Sequence, residues 1–235
     1  MTDDSLTGAW QFWIDRGGTF TDVVARAPDG GIRTLKLLSE NPGRYEDAAI
    51  AGVRQLLGLH ENEKISPAVV TAIKMGTTVA TNALLTRSGE PTLLATTRGF
   101  GDALVIGYQN RPKLFARRIE KTAPLYREVI EIDERLAADG SVVTPLDVAQ
   151  AEAALRRAYD SGLRSVAIAL MHAWREPEHE LVLGALAKKI GFTQITLSHE
   201  VNPSIKLVLR AETTVADAYL TPVVKRYVAQ VSTPA

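Results

Sequence analysis

Apolar residues come in short runs at the start of this chain. One run covers residues 10–14, a second 20–25 and a third 32–38, parted by Gly17-Gly18 and by Pro28-Asp29-Gly30-Gly31. Short apolar runs bounded by turn residues predict strands, here three in a meander. The period then changes. Tyr45, Ala48, Ala49, Gly52, Val53, Leu56 and Leu57 recur at helical spacing and stop at Gly58, which predicts an amphipathic helix with a glycine end. Asn41-Pro42 reads as its cap and first-turn proline. Downstream, strands are predicted at 69–75, 92–96, 165–171 and 194–197, and helices at 79–87, 145–161 and 176–190. A last helix, 211–231, is expected to be interrupted near Thr221-Pro222. Between 98 and 144 the pattern is irregular, with short strands at 129–133 and 142–144. That stretch reads as an insertion built onto the first layer.

The link between the first two strands is chemically loaded. It reads Ile14-Asp15-Arg16-Gly17-Gly18-Thr19-Phe20-Thr21-Asp22. Paired glycines suit a tight reversal, because both accept positive φ. Missing side chains also let an anion reach backbone N–H groups. Thr19 and Thr21 can add hydroxyl donors, and Asp15 can hold water around Mg²⁺. A plain surface hairpin is the alternative. An acid directly after an apolar strand argues against it, since such a charge is costly without a partner. A carboxylate facing bulk solvent, or a glycine tip blocked by its own core, would overturn the phosphate-site reading.

A second candidate is Met75-Gly76-Thr77-Thr78-Val79-Ala80-Thr81-Asn82. A strand end, a glycine and two hydroxyls precede a helix, whose first N–H groups suit an anion. The simpler role for Thr77 or Thr78 is to cap that helix. Gln109, Asn110 and Arg111 offer amide and guanidinium donors for a small carbonyl or carboxylate, or they order a loop. The four histidines lack the spacing of a helical zinc pair, and no serine-hydrolase elbow, P-loop or G-x-G-x-x-G is present.

Composition narrows the classes. The 235 residues carry 27 basic and 27 acidic side chains, a formal net charge of zero. Without a basic excess, nucleic-acid binding is not expected. With no cysteine, disulfides, thiolate catalysis and cysteine metal sites are excluded. The acidic start Met1-Thr2-Asp3-Asp4 shows no apolar leader, and no apolar run is long enough to span a bilayer. The expected location is therefore cytoplasmic, without membrane attachment.

Three meandering strands followed by alternating helices and strands indicate an α/β layer fold. The order β-β-β-α-β-α, with a phosphate-type hairpin between its first strands, resembles the ribonuclease-H-like half of the actin-like ATPases. The motifs add a closer resemblance. IDRGGTFTDVV (14–24), LKLLSENPGRY (35–45), KMGTTVATNALL (74–85), TRGFGDALVIGYQNRP (97–112), Pro124-Leu125-Tyr126, EIDER (131–135) and DAYLTPVVKRY (217–227) follow one another in order. Together they resemble the N-terminal region of the hydantoinase A / 5-oxoprolinase family, and its 5-oxoprolinase branch in particular.

That resemblance implies a ribonuclease-H-like N-terminal half with an inserted α+β subdomain. The N-terminal domain would cover 8–200, with the insertion at about 98–144, and 201–235 would begin the next domain. It implies ATP and Mg²⁺ as cofactors, with K⁺ as a further candidate. The implied reaction is ATP-dependent opening of 5-oxo-L-proline to L-glutamate through phosphorylation of the lactam oxygen. Gly17, Gly18, Thr19 and Thr21 would cradle phosphate. Asp15 would be catalytic and organise Mg²⁺ through water. Gly76, Thr77, Thr78 and Asn82 would line the facing side, with Arg16, Gln109, Asn110 and Arg111 as weaker substrate contacts. The implied partners are a lactam and either a C-terminal half of the same protein or a B-type module, in a homo-oligomer when full length. Alternatives are an A-type subunit of a hydantoinase or ketone carboxylase, and a non-catalytic module that binds a partner protein. No second acid-Gly-Gly-Thr hairpin follows Asp22. The chain is thus expected to be a truncated piece, a split gene product or an incomplete reading frame, inactive alone.

Overall fold

A computed structural model describes residues 8–60, 63–108, 115, 117 and 121–232. The chain forms two compact units, one of residues 1–86 with 223–235 and one of residues 87–222.

The first unit opens with β1 (Trp10–Arg16), β2 (Phe20–Arg26) and β3 (Ile32–Leu38), as the meander predicts. Next come α1 (Ala48–Leu57), β4 (Val70–Thr77) and α2 (Val79–Leu85). The sheet order is β3-β2-β1-β4. Strands β1, β2 and β3 pair antiparallel, whereas β4 lies parallel to β1. This is the ribonuclease-H-like arrangement. Alternation decides which face is covered. Phe12, Ile14, Val23 and Ala25 point inward and join Ala49 and Val53 of α1 in one core. Helix α1 approaches closely: a Cβ on Gly52 would stand 2.7 Å from Val23 Cγ2. The helix starts later than expected. Asn41 bridges to Tyr45, and the cap is Asp47, whose Oδ1 accepts from the Ala49 and Ile50 N–H groups.

The second unit contains β5 (Thr92–Thr97), α3 (Ala103–Ile106), β6 (Tyr126–Ile132), β7 (Arg135–Leu136), β8 (Val142–Thr144) and α4 (Val148–Asp160). It continues with β9 (Ser165–Ala169), α5 (Glu178–Ile190), β10 (Gln194–Leu197), α6 (Ser198–Val201) and α7 (Leu207–Ser232). Its main sheet runs β10-β9-β5-β6, with every pairing parallel. The irregular stretch is therefore no independent addition to the first layer. It supplies β6 to the sheet that β5 founds, and the β7-β8 hairpin beside it. Both β5 and β9 are buried throughout, as strands covered on two faces must be. One face packs Leu93, Val166 and Ile168 against Leu155 of α4 and Leu183 of α5. The other packs Leu94, Ala167 and Ala169 against Ala211, Val215 and Ala218 of α7.

Pro222 does not interrupt α7. A helical proline cannot bond the carbonyl four residues back. That carbonyl belongs to Ala218, and the Ser165 hydroxyl donates to it at 2.7 Å.

Candidate functional site

The first unit brings the two sequence candidates together at one end of its sheet. In the β1–β4 register, Asp15 stands beside Gly76 and Arg16 beside Thr77. The Thr78 N–H then donates to the Arg16 carbonyl at 3.1 Å. Asn82, one turn into α2, donates through Nδ2 to Thr78 Oγ1 at 3.3 Å. Its amide also lies against the loop, because a Cβ on Gly18 would fall 2.7 Å from Asn82 Nδ2. Asp15, Gly17, Gly18, Thr19, Gly76, Thr77, Thr78 and Asn82 thus share one small surface.

The glycines serve a different purpose from the one expected. Neither Gly17 nor Gly18 has a positive φ. The connection is a three-residue loop, Gly17-Gly18-Thr19, closed by the Gly17 N–H on the Phe20 carbonyl at 2.9 Å. A Cβ at Gly17 would meet that carbonyl oxygen at 3.0 Å, and one at Gly18 would meet Asn82. Space selects glycine here, not handedness. The Gly18 and Thr19 N–H groups have no backbone acceptor among the described residues.

Asp15 is exposed and has no hydrogen-bond or ion-pair partner among the described residues. The expectation that it needs a partner does not hold, because it stands where water solvates it. Its Oδ1 lies 3.8 Å from where a Gly76 Cβ would be, so glycine leaves that side of the carboxylate open. That exposure is the condition set against the phosphate-site reading, and by itself it is what a plain hairpin gives. The convergence of Gly18, Gly76 and Asn82 around it is what a plain hairpin does not require.

Thr21 departs from expectation. It is fully buried, with its hydroxyl 3.0 Å from Ser39 Oγ. It therefore shapes the loop from behind and presents no hydroxyl at the surface. Ser39 is the residue that motif reading missed. Its hydroxyl donates to the Gly17 carbonyl at 2.7 Å, and its N–H to the Thr19 carbonyl at 2.8 Å. Only its place next to the third strand's end could have signalled it. Arg16 is likewise engaged inward. Its guanidinium lies over the Tyr227 ring, 4.8 Å from the centroid, and 3.8 Å from Asp47 Oδ2. The Tyr227 hydroxyl donates to Met75 Sδ; burial raises its pKa, with Asp47 adding and Arg16 opposing. Thr78 makes no side-chain capping bond to α2. Instead the Thr77 hydroxyl accepts from the Val79 N–H at 3.2 Å. Gln109, Asn110 and Arg111 lie outside the described residues.

Histidines in the second unit pair with buried acids. His179 Nδ1 lies 2.8 Å from Glu134 Oε2, and His199 Nδ1 lies 2.6 Å from Glu180 Oε2. No described helix is long and apolar enough to cross a membrane.

The sequence model for the hydantoinase/oxoprolinase N-terminal region matches residues 11–191. The chain belongs to that family. It is 39% identical to 5-oxoprolinase of Saccharomyces cerevisiae over 93% of its length, and 41% identical to 5-oxoprolinase 1 of Arabidopsis thaliana over 94%. In each case it spans only 20% of the relative. Among solved structures it resembles the ATP-dependent caprolactamase of Pseudomonas jessenii. The TM-score is 0.76 at 31% identity, covering 94% of this chain and 33% of that one. The family is thus one of enzymes that includes cyclic-amide hydrolases, and the α/β architecture described above is its architecture.

Proposed function

We propose that this chain is the phosphate-binding N-terminal part of an ATP-dependent 5-oxoprolinase. The reaction converts 5-oxo-L-proline, ATP and water to L-glutamate, ADP and phosphate through phosphorylation of the lactam oxygen. An amide carbonyl is a poor electrophile, and phosphorylating its oxygen makes the carbon open to water. Support comes from identities near 40% to 5-oxoprolinases. The observation that carries the site is the convergence of Asp15, the Gly17-Gly18-Thr19 loop, Gly76 and Asn82 at one sheet end.

Each residue has a role that its geometry fits. The unpaired Gly18 and Thr19 N–H groups donate to phosphate oxygens, as backbone nests do. The Thr19 and Thr78 hydroxyls and the Asn82 amide would donate to the same anion, whereas the Thr77 hydroxyl is bonded to the Val79 N–H and to Tyr227. Thr21 and Ser39 hold the loop in shape from behind. Asp15, with no partner among the described residues, suits a hydrated Mg²⁺, a hard cation that keeps several waters and takes few carboxylates. Bound Mg²⁺ would neutralise charge on the triphosphate, and the chain's share of catalysis is positioning and electrostatic support. Arg16 positions Asp47 and Tyr227, and contact with substrate is no longer its best role.

Water attack on the activated carbon would fall to a C-terminal half or a B-type module, since the chain spans about a fifth of its 5-oxoprolinase relatives. We place the activity in the cytoplasm and expect a homo-oligomer of the complete protein. The runner-up is an A-type subunit acting on another cyclic amide, which the caprolactamase likeness favours. The deciding assay expresses this chain together with the segments its longer relatives carry. ATP hydrolysis stimulated by 5-oxo-L-proline, with glutamate as product, is the expected result. Stimulation by caprolactam or a hydantoin in its place would assign the runner-up, and no stimulated hydrolysis would refute both.

A further inference from the structure

The second unit has a crevice that the phosphate site does not use. Its sheet order is β10-β9-β5-β6. The chain passes from β5 to β6 on one side and later returns to β9 on the other, so the winding reverses between β5 and β9. In open parallel sheets, ligands settle outside the carboxyl ends of the strands at such a reversal. A cavity of about 420 Å³ opens at this place, a volume typical of small-molecule sites. Phe100 lines it beyond the end of β5, Ile106 lines it from α3, and Met171 lines it beyond β9.

Those walls are fixed. The Met171 N–H donates to Thr97 Oγ1 at 2.8 Å, and the Thr97 hydroxyl in turn bonds the buried Glu134 carboxylate. Two charged residues also line the cavity, Asp102 and Lys206. Asp102 occupies the N-cap of α3, yet its side chain makes no capping bond. Neither Asp102 nor Lys206 forms an ion pair with a described residue. Lys206 immediately precedes α7, and the Leu207 and Val208 N–H groups at its start have no backbone acceptor among the described residues. An apolar cavity with an anion and a cation that form no ion pair with a described residue complements a small molecule carrying an N–H donor and a carboxylate on a compact apolar frame.

We propose that this crevice binds a small α-carboxylate with a neighbouring N–H donor, the class to which 5-oxo-L-proline belongs. The choice of that compound rests on the oxoprolinase reading, whereas the site rests on the second unit's own geometry. Lys206 and the first N–H groups of α7 take the carboxylate, Asp102 takes the N–H, and Phe100, Ile106 and Met171 hold the ring. Caprolactam, which has the N–H but no carboxylate, binds at least tenfold more weakly.

Titration calorimetry of the 235-residue chain with 5-oxo-L-proline tests this. Lys206→Ala should weaken binding at least tenfold and Asp102→Asn at least threefold. Both side chains are exposed, and circular dichroism checks that each variant is folded. Asp15→Ala should leave this affinity unchanged. No binding to the wild-type chain, or affinity within twofold of wild type in Lys206→Ala, overturns the proposal. If binding shows the expected pattern while the complete protein makes no glutamate, the crevice stands and the oxoprolinase reading falls.

Discussion

Polar groups at the ends of the two sheets meet opposite fates. Beyond β1 and β4, Asp15, Thr19, Gly76, Thr77 and Thr78 are exposed, and Asp15 has no partner among the described residues. In the second unit Glu134 and Glu180 are buried, and both carboxylates are hydrogen-bonded. Glu180 alone accepts from the Leu170 N–H at 2.9 Å, the Ser198 hydroxyl at 2.6 Å and the His199 N–H at 3.2 Å. Arg210, also fully buried, completes the cluster through Ser198 Oγ, the Ser204 carbonyl and the Leu170 carbonyl. Burial lowers the Arg210 pKa, and Glu180 opposes that shift. The lesson concerns what a polar residue is for. A buried acid with every lone pair used serves the fold, whereas an exposed one flanked by bare glycine backbone is left for a ligand.

The strongest way to break this contrast is to remove Glu180. Its loss leaves Arg210 buried without its anion and the Leu170 N–H and Ser198 hydroxyl without their acceptor. Leaving a buried donor without its acceptor costs about 1–3 kcal/mol, so Glu180→Ala should lose at least that much in denaturant unfolding. Glu180→Gln keeps the shape and some acceptor capacity, and should lose less. Equal stability of wild type and Glu180→Ala would show that the cluster is not structural.

Ser39 lies between the extremes, because it is buried yet serves the exposed loop. Ser39→Ala removes the donor to the Gly17 carbonyl and the partner of Thr21. A lost buried hydrogen bond costs about 1–3 kcal/mol. The variant should unfold at correspondingly lower denaturant and lose nucleotide-dependent activity in the complete protein. Unchanged activity would show that the loop needs no support from behind.

How much of this the sequence carried depends on the range of the interactions. Strands β2 and β3 and helix α1 followed from local periodicity, and so did the hydroxyl-and-glycine signals at 14–22 and 75–82. Register then brought those two segments side by side. Four things were not legible. The start of α1 moved from Asn41 to Asp47, because a backbone bridge to Tyr45 holds Asn41 outside the helix. Gly18 is glycine because of Asn82, 64 positions away in sequence, so a φ argument gave the right residue for the wrong reason. The sheet that β5 joins was not legible, since a fully apolar strand carries no mark of its neighbours. Glu180 and Glu134 carried no mark of their burial for the same reason: their partners are strand ends and a helix far along the chain.

The smallest effect on stability is expected at Asp15, and that is where the comparison is sharpest. Asp15 is exposed, makes no bond to a described residue and faces Asp22 across the β1–β2 pair. Like charges opposite one another on a sheet are mildly unfavourable, although Lys36 offsets Asp22 at 2.7 Å. Asp15→Ala should therefore change unfolding free energy by no more than about 0.5 kcal/mol, as surface substitutions usually do, and Asp15→Asn should behave alike. In the complete protein the same change should reduce lactam-stimulated ATP hydrolysis at least 100-fold, because the carboxylate that would organise the metal is gone. A stable but inactive variant separates a residue kept for chemistry from one kept for the fold. An Asp15→Ala protein that is equally stable and fully active would make the β1–β2 connection an ordinary hairpin. A destabilised one would mean that Asp15 has a structural partner.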